Sequence, residues 1–349
     1  MTDAVSTKPN RLDGLDFARF LAFAGMVLVN FHVVTGDLGG AFWAEVLLLA
    51  LQGKAAATFV VLAGIGLGMG AARTASVGFG RAIVKRALFL FILGLINTLM
   101  FPADILHYYA IYFLLGLFFI RASSRVLGLV AMALPFVFVL LLFFVDYDAG
   151  WNWETLEYSG FWTVDGFVRN LMFNGWHPVV PWLSFLLVGF ILARLDLRRA
   201  PTHRVFVSVG AAMLLIAYSA ATLIRIVLPA KWGDLVSTSP IPPMPQYMLA
   251  GTGAALLVIG GSLALFRQDW SRVLRVFALT GRQALTLYIA HVLVGMGALE
   301  ALGLLGGQPA EISVFASLFF IAASVLYVVI WASFFKAGPI EWLMRRISG

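Results

Sequence analysis

The sequence contains no cysteine. Disulfides, thiolate nucleophiles and Cys-based metal sites are therefore excluded. Charge is also scarce. Of 349 residues, 12% are Asp, Glu, Lys or Arg, whereas 61% are hydrophobic and the mean hydropathy is +0.94. A soluble domain is about a quarter charged. A soluble fold could not hide this much apolar surface, but a bundle facing lipid does not have to. The 34 glycines suit the close approach of membrane helices. The formal charge of +7 invites a nucleic-acid reading. It is rejected because the basic residues sit in short clusters between apolar runs, where they report topology.

Apolar runs long enough to span a bilayer occur at roughly 16–35, 55–72, 82–100, 105–121, 125–145, 178–195, 204–228, 246–266, 277–299 and 312–335. The first follows a polar segment with Lys8, Arg11, Asp13 and Asp16, and no small-residue cleavage site follows Val34, so it reads as a retained helix. Trp43–Leu51 is too short to span and reads as interfacial or re-entrant. The loop 146–176 carries Trp151, Trp153, Trp162 and Trp176, as expected of a structured segment at the membrane interface. With the N-terminus inside, twenty of the 24 Lys and Arg residues fall on the inner side. Only Lys54, Arg169, Arg225 and Lys231 fall on the outer half. The expectation is an all-α integral membrane protein, one domain over 1–349, with about ten transmembrane helices and both ends cytoplasmic.

Ionisable groups within the membrane are costly and point to function. Asp16, Arg19, Phe23, Met26 and Asn30 share one face of the first helix. Asp16 and Arg19 can pair, as an anchor at the inner interface or as more, while Asn30 deeper in needs a partner. His32, His107 and His177 fall at the outer ends of three helices. His291 lies mid-span in the ninth, and His203 sits in a basic inner loop. Asp37 and Asp104 are near in sequence, so a polar outer pocket is expected. No metal is expected, since no local ligand pair such as H-x-x-x-H exists. Gly64, Gly66, Gly68 and Gly70 form overlapping G-x-x-x-G pairs that admit a neighbouring helix. Arg81, Lys85 and Arg86 obey the positive-inside rule, and could equally cradle an anionic ligand.

R-L-D-G-L-D-F-A-R-F-L-A-F-A-G-M-V-L-V-N (Arg11–Asn30) resembles the opening of the YeiB-like bacterial membrane proteins. It also resembles the catalytic domain of heparan-α-glucosaminide N-acetyltransferase. D-I-L-H-Y-Y-A-I (Asp104–Ile111), H-P-V-V-P-W-L-S-F-L-L-V-G-F-I-L-A-R (His177–Arg194) and T-G-R-Q-A-L-T-L-Y-I-A-H (Thr280–His291) fit the same pattern. G-P-I-E-W-L-M-R (Gly338–Arg345) points to the YeiB-like branch. The resemblance implies a bacterial inner-membrane acyltransferase. A cytoplasmic acyl-CoA, acetyl-CoA by the same analogy, would donate to an extracytoplasmic hydroxyl or amine on a glycan, lipid or small molecule. Asn30 matches the Asn that ends the acetyltransferase's first helix. The family's His, about eleven residues on, falls at Ala41, and the Arg, ten residues, His spacing of the wider group starts at Arg19 and reaches Asn30. The base is then sought among His32, His107 and His177, with His32 placed first, although it turns away from the Arg19–Asn30 stripe. Asn30 would stabilise an oxyanion. Arg19, Arg81, Lys85, Arg86 and Arg282 would hold CoA phosphates. The partners implied are membrane lipids, acyl-CoA and an unnamed acceptor, with homo-oligomer formation left open. A transporter or flippase, to which Arg225 and His291 would also suit, is the competing reading, and a scaffold subunit without activity is a third.

Overall fold

The structure, a computed structural model, describes residues 11–36, 39–73, 77–227, 233–267 and 271–349. Lys8, Asp37 and Lys231 lie outside the described residues. The architecture is all-α apart from one short hairpin. Among the described residues, seven helical spans are long and apolar enough to cross a membrane, or eight if one bent pair counts as a span. Two of the ten runs fall short of that standard for visible reasons. Helix α4 (Val77–Thr98) carries Arg81, Lys85 and Arg86 in its first half, and α5 (Leu106–Phe119) has only 14 residues.

Helix α1 (Asp13–Thr35) is central, with Phe23, Val27 and Phe31 almost fully buried. The short α2 (Phe42–Leu51) lies against it and exposes Phe42, Trp43, Val46 and Leu49. That face fits the interfacial position expected for this segment. Gly53, at φ +71°, turns the chain into α3 (Lys54–Arg73). A Cβ there would stand 2.7 Å from Pro240 Cβ, and its carbonyl accepts a hydrogen bond from Tyr247 Oη at 3.0 Å. Only glycine meets both demands.

Helix α3 packs backbone to backbone on α8 (Val179–Leu192). A Cβ on Gly64 would lie 2.3 Å from Leu186 O, and one on Gly189 would lie 2.3 Å from Val61 O. Helix α8, with Trp182, Phe185 and Phe190, forms the core together with α5 and α10 (Pro245–Leu265). Helices α6 (Ser124–Leu141) and α9 (Ala200–Val227) pack outside this core and expose long apolar faces, including Phe136, Leu215 and Ile226. In water such faces would be a liability, and in a bilayer they are the lipid contact.

The aromatic loop is built as expected of a structured segment. Strands β1 (Trp151–Asn152) and β2 (Glu157–Tyr158) pair antiparallel, and α7 (Val164–Arg169) follows. Buried Asn174 ties the loop down. Its amide donates to the carbonyls of Tyr147 and Ala149, and its carbonyls accept from Trp151 Nε1 and Tyr158 Oη. The last third contains α11 (Ser271–Gly281), α12 (Ala284–Ala290), α13 (Gly297–Ala301) and α14 (Ala310–Ala332). A wider-wound turn over 291–296 joins α12 to α13. The C-terminal α15 (Pro339–Ser348) docks through Glu341, which is 7% exposed. Its carboxylate accepts from Leu285 N at 2.8 Å, Thr286 N at 3.1 Å and Thr286 Oγ1 at 2.5 Å. The segments Gly338–Arg345 and Thr280–His291 thus meet at one joint, where a carboxylate satisfies the free N–H groups that begin α12.

Candidate functional site

Facing residues of α1 and α3 form a groove along the bundle axis. Where Arg19, Arg86 and Met344 lie it opens as a cavity of about 380 Å³. Its walls are mostly apolar, including Phe59, Leu62, Leu90, Ile105, Tyr109 and Phe113, and two guanidiniums, Arg19 and Arg86, belong to its lining. Gly66 leaves room for it and Gly70 lets the Phe79 ring approach, whereas Gly64 and Gly68 on the other side of α3 pack on α8. The glycine run therefore does two jobs, one per face. Only the packing job was expected from the sequence.

A second cavity of about 70 Å³ lies further along α1, lined by Val29, Asn30, Gln52, Ala55, Ala56, Ala103, Trp176 and His177. Met26 borders both cavities. From Arg19 to Asn30, α1 rises about 16 Å at 1.5 Å per residue. That is roughly half of a ~30 Å hydrocarbon core.

At the Asn30 level the side-chain amide nitrogen lies 3.1 Å from His291 Nε2. Nδ1 of His291 faces the Tyr288 carbonyl, which can only accept, so Nδ1 carries the proton. Nε2 of the neutral ring is then bare and accepts from Asn30. The partner that half-buried Asn30 requires is thus His291, a mid-span residue outside the site candidates that the sequence offers. A polar residue in mid-helix was the available signal; nothing local could pair two residues so far apart in the chain.

The three candidate imidazoles go to three places. His177 borders the small cavity with Asn30. Its Nδ1 is buried and has no partner among the described residues, as is also true of Trp176 Nε1 beside it. His32 faces α14, with Nδ1 3.2 Å from Ser313 Oγ, and borders an adjacent groove of about 520 Å³ shared with Glu45, Leu48 and Gln52. His107 is sealed in the core at 1% exposure. Its Nδ1 sits 3.2 Å from Asp104 Oδ2, and Asp104 also accepts from Asn97 Nδ2 at 2.8 Å, Leu106 N at 2.7 Å and Tyr288 Oη at 3.1 Å. Asn30 thus meets His291, His291 meets the Tyr288 carbonyl, and the Tyr288 phenol at the far end of its ring meets Asp104 beside His107, while His32 has no part in these contacts.

At the opposite end, buried Asp16 gathers three guanidiniums. Arg11 binds at 2.5 and 3.0 Å, Arg19 at 2.5 Å and Arg282 at 3.1 Å; Arg282 also reaches Asp13 at 2.7 Å. Arg19 thus holds Asp16 and borders the large cavity at once. Arg282 belongs to the charge cluster. On α4, Arg86 faces the cavity with Nε 3.3 Å from Ser348 Oγ, whereas Arg81 and Lys85 are exposed. A step of about 100° separates Lys85 from Arg86 on the helix. Among the described residues no group of three His, Asp or Glu side chains is arranged to hold a metal.

Comparison with known proteins adds two family matches. Residues 192–349 match a model described as a protein of unknown function (DUF418), the YeiB-like group. Searches of curated proteins and of solved structures gave no significant match. The other match covers residues 11–224 and so takes in α1, α3, α4, α5 and α8, which supply most of the lining of both cavities, while Ala284, Leu285, Tyr288 and Met344 of the first and Pro240 and Ile241 of the second lie beyond it. By that match the chain is a multi-pass membrane protein belonging to the family of the heparan-alpha-glucosaminide N-acetyltransferase catalytic domain.

Proposed function

We propose that the protein transfers a short acyl group from cytoplasmic acyl-CoA to an extracytoplasmic hydroxyl or amine, in a bacterial inner membrane. The observation that carries this reading is the pair of cavities along one groove. Its first part has two guanidiniums at the face of the chain ends, and its far part has an amide and an imidazole. The ten apolar runs serve as ten spans, and the basic loops put the chain ends inside. Arg19 and Arg86 meet CoA phosphates by charge-assisted hydrogen bonds. The apolar cavity takes the pantetheine arm and points the thioester at Asn30.

The chemistry balances without a cofactor. A neutral imidazole, His177 by its position in the cavity, takes the acceptor proton. The acceptor oxygen or nitrogen attacks the thioester carbonyl. The second N–H of Asn30 Nδ2 meets the developing oxyanion, a contact worth roughly 3 kcal/mol. The C–S bond then breaks, and the CoA thiolate takes the proton from the imidazolium. His291 holds the Asn30 amide in place. His32, in the adjacent groove, stands on the acceptor's approach.

Calorimetry with acetyl-CoA tests the donor side. Binding should weaken with added salt, because charges near a surface are screened. It should weaken strongly in Arg86→Ala and little in Arg81→Ala or Lys85→Ala. Cavities on both sides of Met26 would also serve a transporter. Well-folded protein that binds no acyl-CoA would move the assignment there.

A further inference from the structure

The two cavities share one bordering residue, Met26, which is 6% exposed and lies on the same α1 face as Arg19 and Asn30. On the α3 side the wall runs from Ala55 and Ala56 through Phe59 to Ala63, Gly66 and Gly70. Ala55, Ala56, Ala63, Gly66 and Gly70 are small, while Phe59, Leu62 and Leu67 of the same helix add bulk to the wall of the first cavity. Closure at mid-depth falls to Met26, with Phe59 beside it.

We propose that Met26 is a movable seal between a cavity open to the face of the chain ends and a cavity open to the opposite face. A methionine suits that task. It is unbranched, its thioether is soft, and three rotatable bonds let its end swing without moving the helix. A β-branched residue here would hold one rotamer. At rest the seal keeps water and ions from crossing. Displaced by an incoming chain, it would let a thioester reach the Asn30 level while the gap stays filled by the cargo itself. That last step rests on the acyl-transfer reading; the seal does not.

The chain has no cysteine, so a single introduced thiol reports on access without background. Ala63→Cys reports on the large cavity and Ala103→Cys on the small one. Each is made with Met26 intact and exposed to a membrane-impermeant methanethiosulfonate, in right-side-out and inside-out sealed vesicles. The expected result is that each thiol reacts from one face only, and that the two faces differ. Adding Met26→Ala, which leaves an opening where the side chain was, should raise the rate at Ala103→Cys from the face of the chain ends by on the order of tenfold or more. Met26→Leu, of similar volume, should leave the sidedness intact. Met26→Val gives the same reading if the alanine variant does not assemble.

The proposal fails if truncating Met26 leaves the sidedness unchanged. It also fails if either thiol reacts from both faces, or from neither, while Met26 is present. An acetyl-CoA titration of the same proteins separates the two readings. Sidedness that follows Met26 in protein that never binds acyl-CoA keeps the seal and removes the acyltransferase. Acyl-CoA binding with sidedness indifferent to Met26 does the reverse.

Discussion

The amide of Asn30 and Nε2 of His291 face each other across 3.1 Å, joining α1 to a helix 261 positions further along the chain. Each supplies what the other lacks in a medium without water, a donor for a bare ring nitrogen and a fixed orientation for an amide.

Asn30→Ala should therefore have two separable effects. It removes the proposed oxyanion donor, for which a loss of about 10²–10³ in turnover is expected. It also strands His291 Nε2, at a cost of roughly 1–3 kcal/mol in stability. Acyl-CoA affinity, set at the other end of the groove, should be unchanged. Steady-state kinetics, calorimetry and thermal unfolding in detergent measure the three quantities. A parallel loss of donor affinity would contradict the separation of donor and reaction sites.

The imidazoles can be told apart by glutamine substitution, which keeps polarity but cannot take a proton near neutral pH. His177→Gln should lower turnover by about 10²–10⁴-fold as expected for a lost general base. His32→Gln should act on the apparent acceptor affinity and spare turnover at saturating acceptor. Turnover abolished by His32→Gln and retained in His177→Gln would transfer the base to the α14-facing groove. If both variants kept full turnover, no imidazole base would act at this face.

Asp16 is 1% exposed and binds three guanidiniums, whereas Arg11 is 53% exposed. Removing one partner of a buried charge pair costs about 3–5 kcal/mol, and the part-solvated arginines reduce that figure here. Asp16→Asn should therefore lower the unfolding midpoint clearly, and Arg11→Ala should lower it by at most what about 1 kcal/mol produces. Equal midpoints for the two variants would show that the cluster is solvated and structurally idle.

Adjacent faces of α3 should respond in opposite ways to added bulk. A Cβ on Gly64 would sit 2.3 Å from Leu186 O, whereas one on Gly66 meets nothing nearer than Arg19 Nη2 at 3.9 Å. Gly64→Ala should impair assembly, since overpacking costs about 1–3 kcal/mol or more. Gly66→Leu should assemble normally but fill the cavity and abolish acyl-CoA binding. Size-exclusion profiles and calorimetry report each outcome.

Much of the fold is legible because lipid imposes long apolar runs and marks their ends with basic residues. Each of the ten runs has a helix, yet the run 277–299 is broken at Gln283 and rewound at 291–296, which hydropathy alone cannot register. Asn30 is legible as a residue in need of a partner, but the identity of that partner depends on how distant helices pack. Arg86 shares a cluster with Arg81 and Lys85 in the sequence; the helical angle could have separated it, had the buried side of α4 been known. Gly66 and Gly64 look alike as letters, and only the position of α8 tells them apart.

Helix α3 is clamped along one side to α8 by glycines with no side chain to compress, and its other side walls the large cavity. A guest that swells the cavity therefore pushes against one stiff wall. The give must come from elsewhere on the lining, where Met344 stands on the C-terminal α15. α15 is held to α12 through the Glu341 joint and packs on α4, where Arg86 adds a 3.3 Å hydrogen bond to Ser348 Oγ. Cargo size should then be read out as a tilt of the C-terminal helix, and amide exchange along 342–348 should change with donor length while that of 60–68 stays constant.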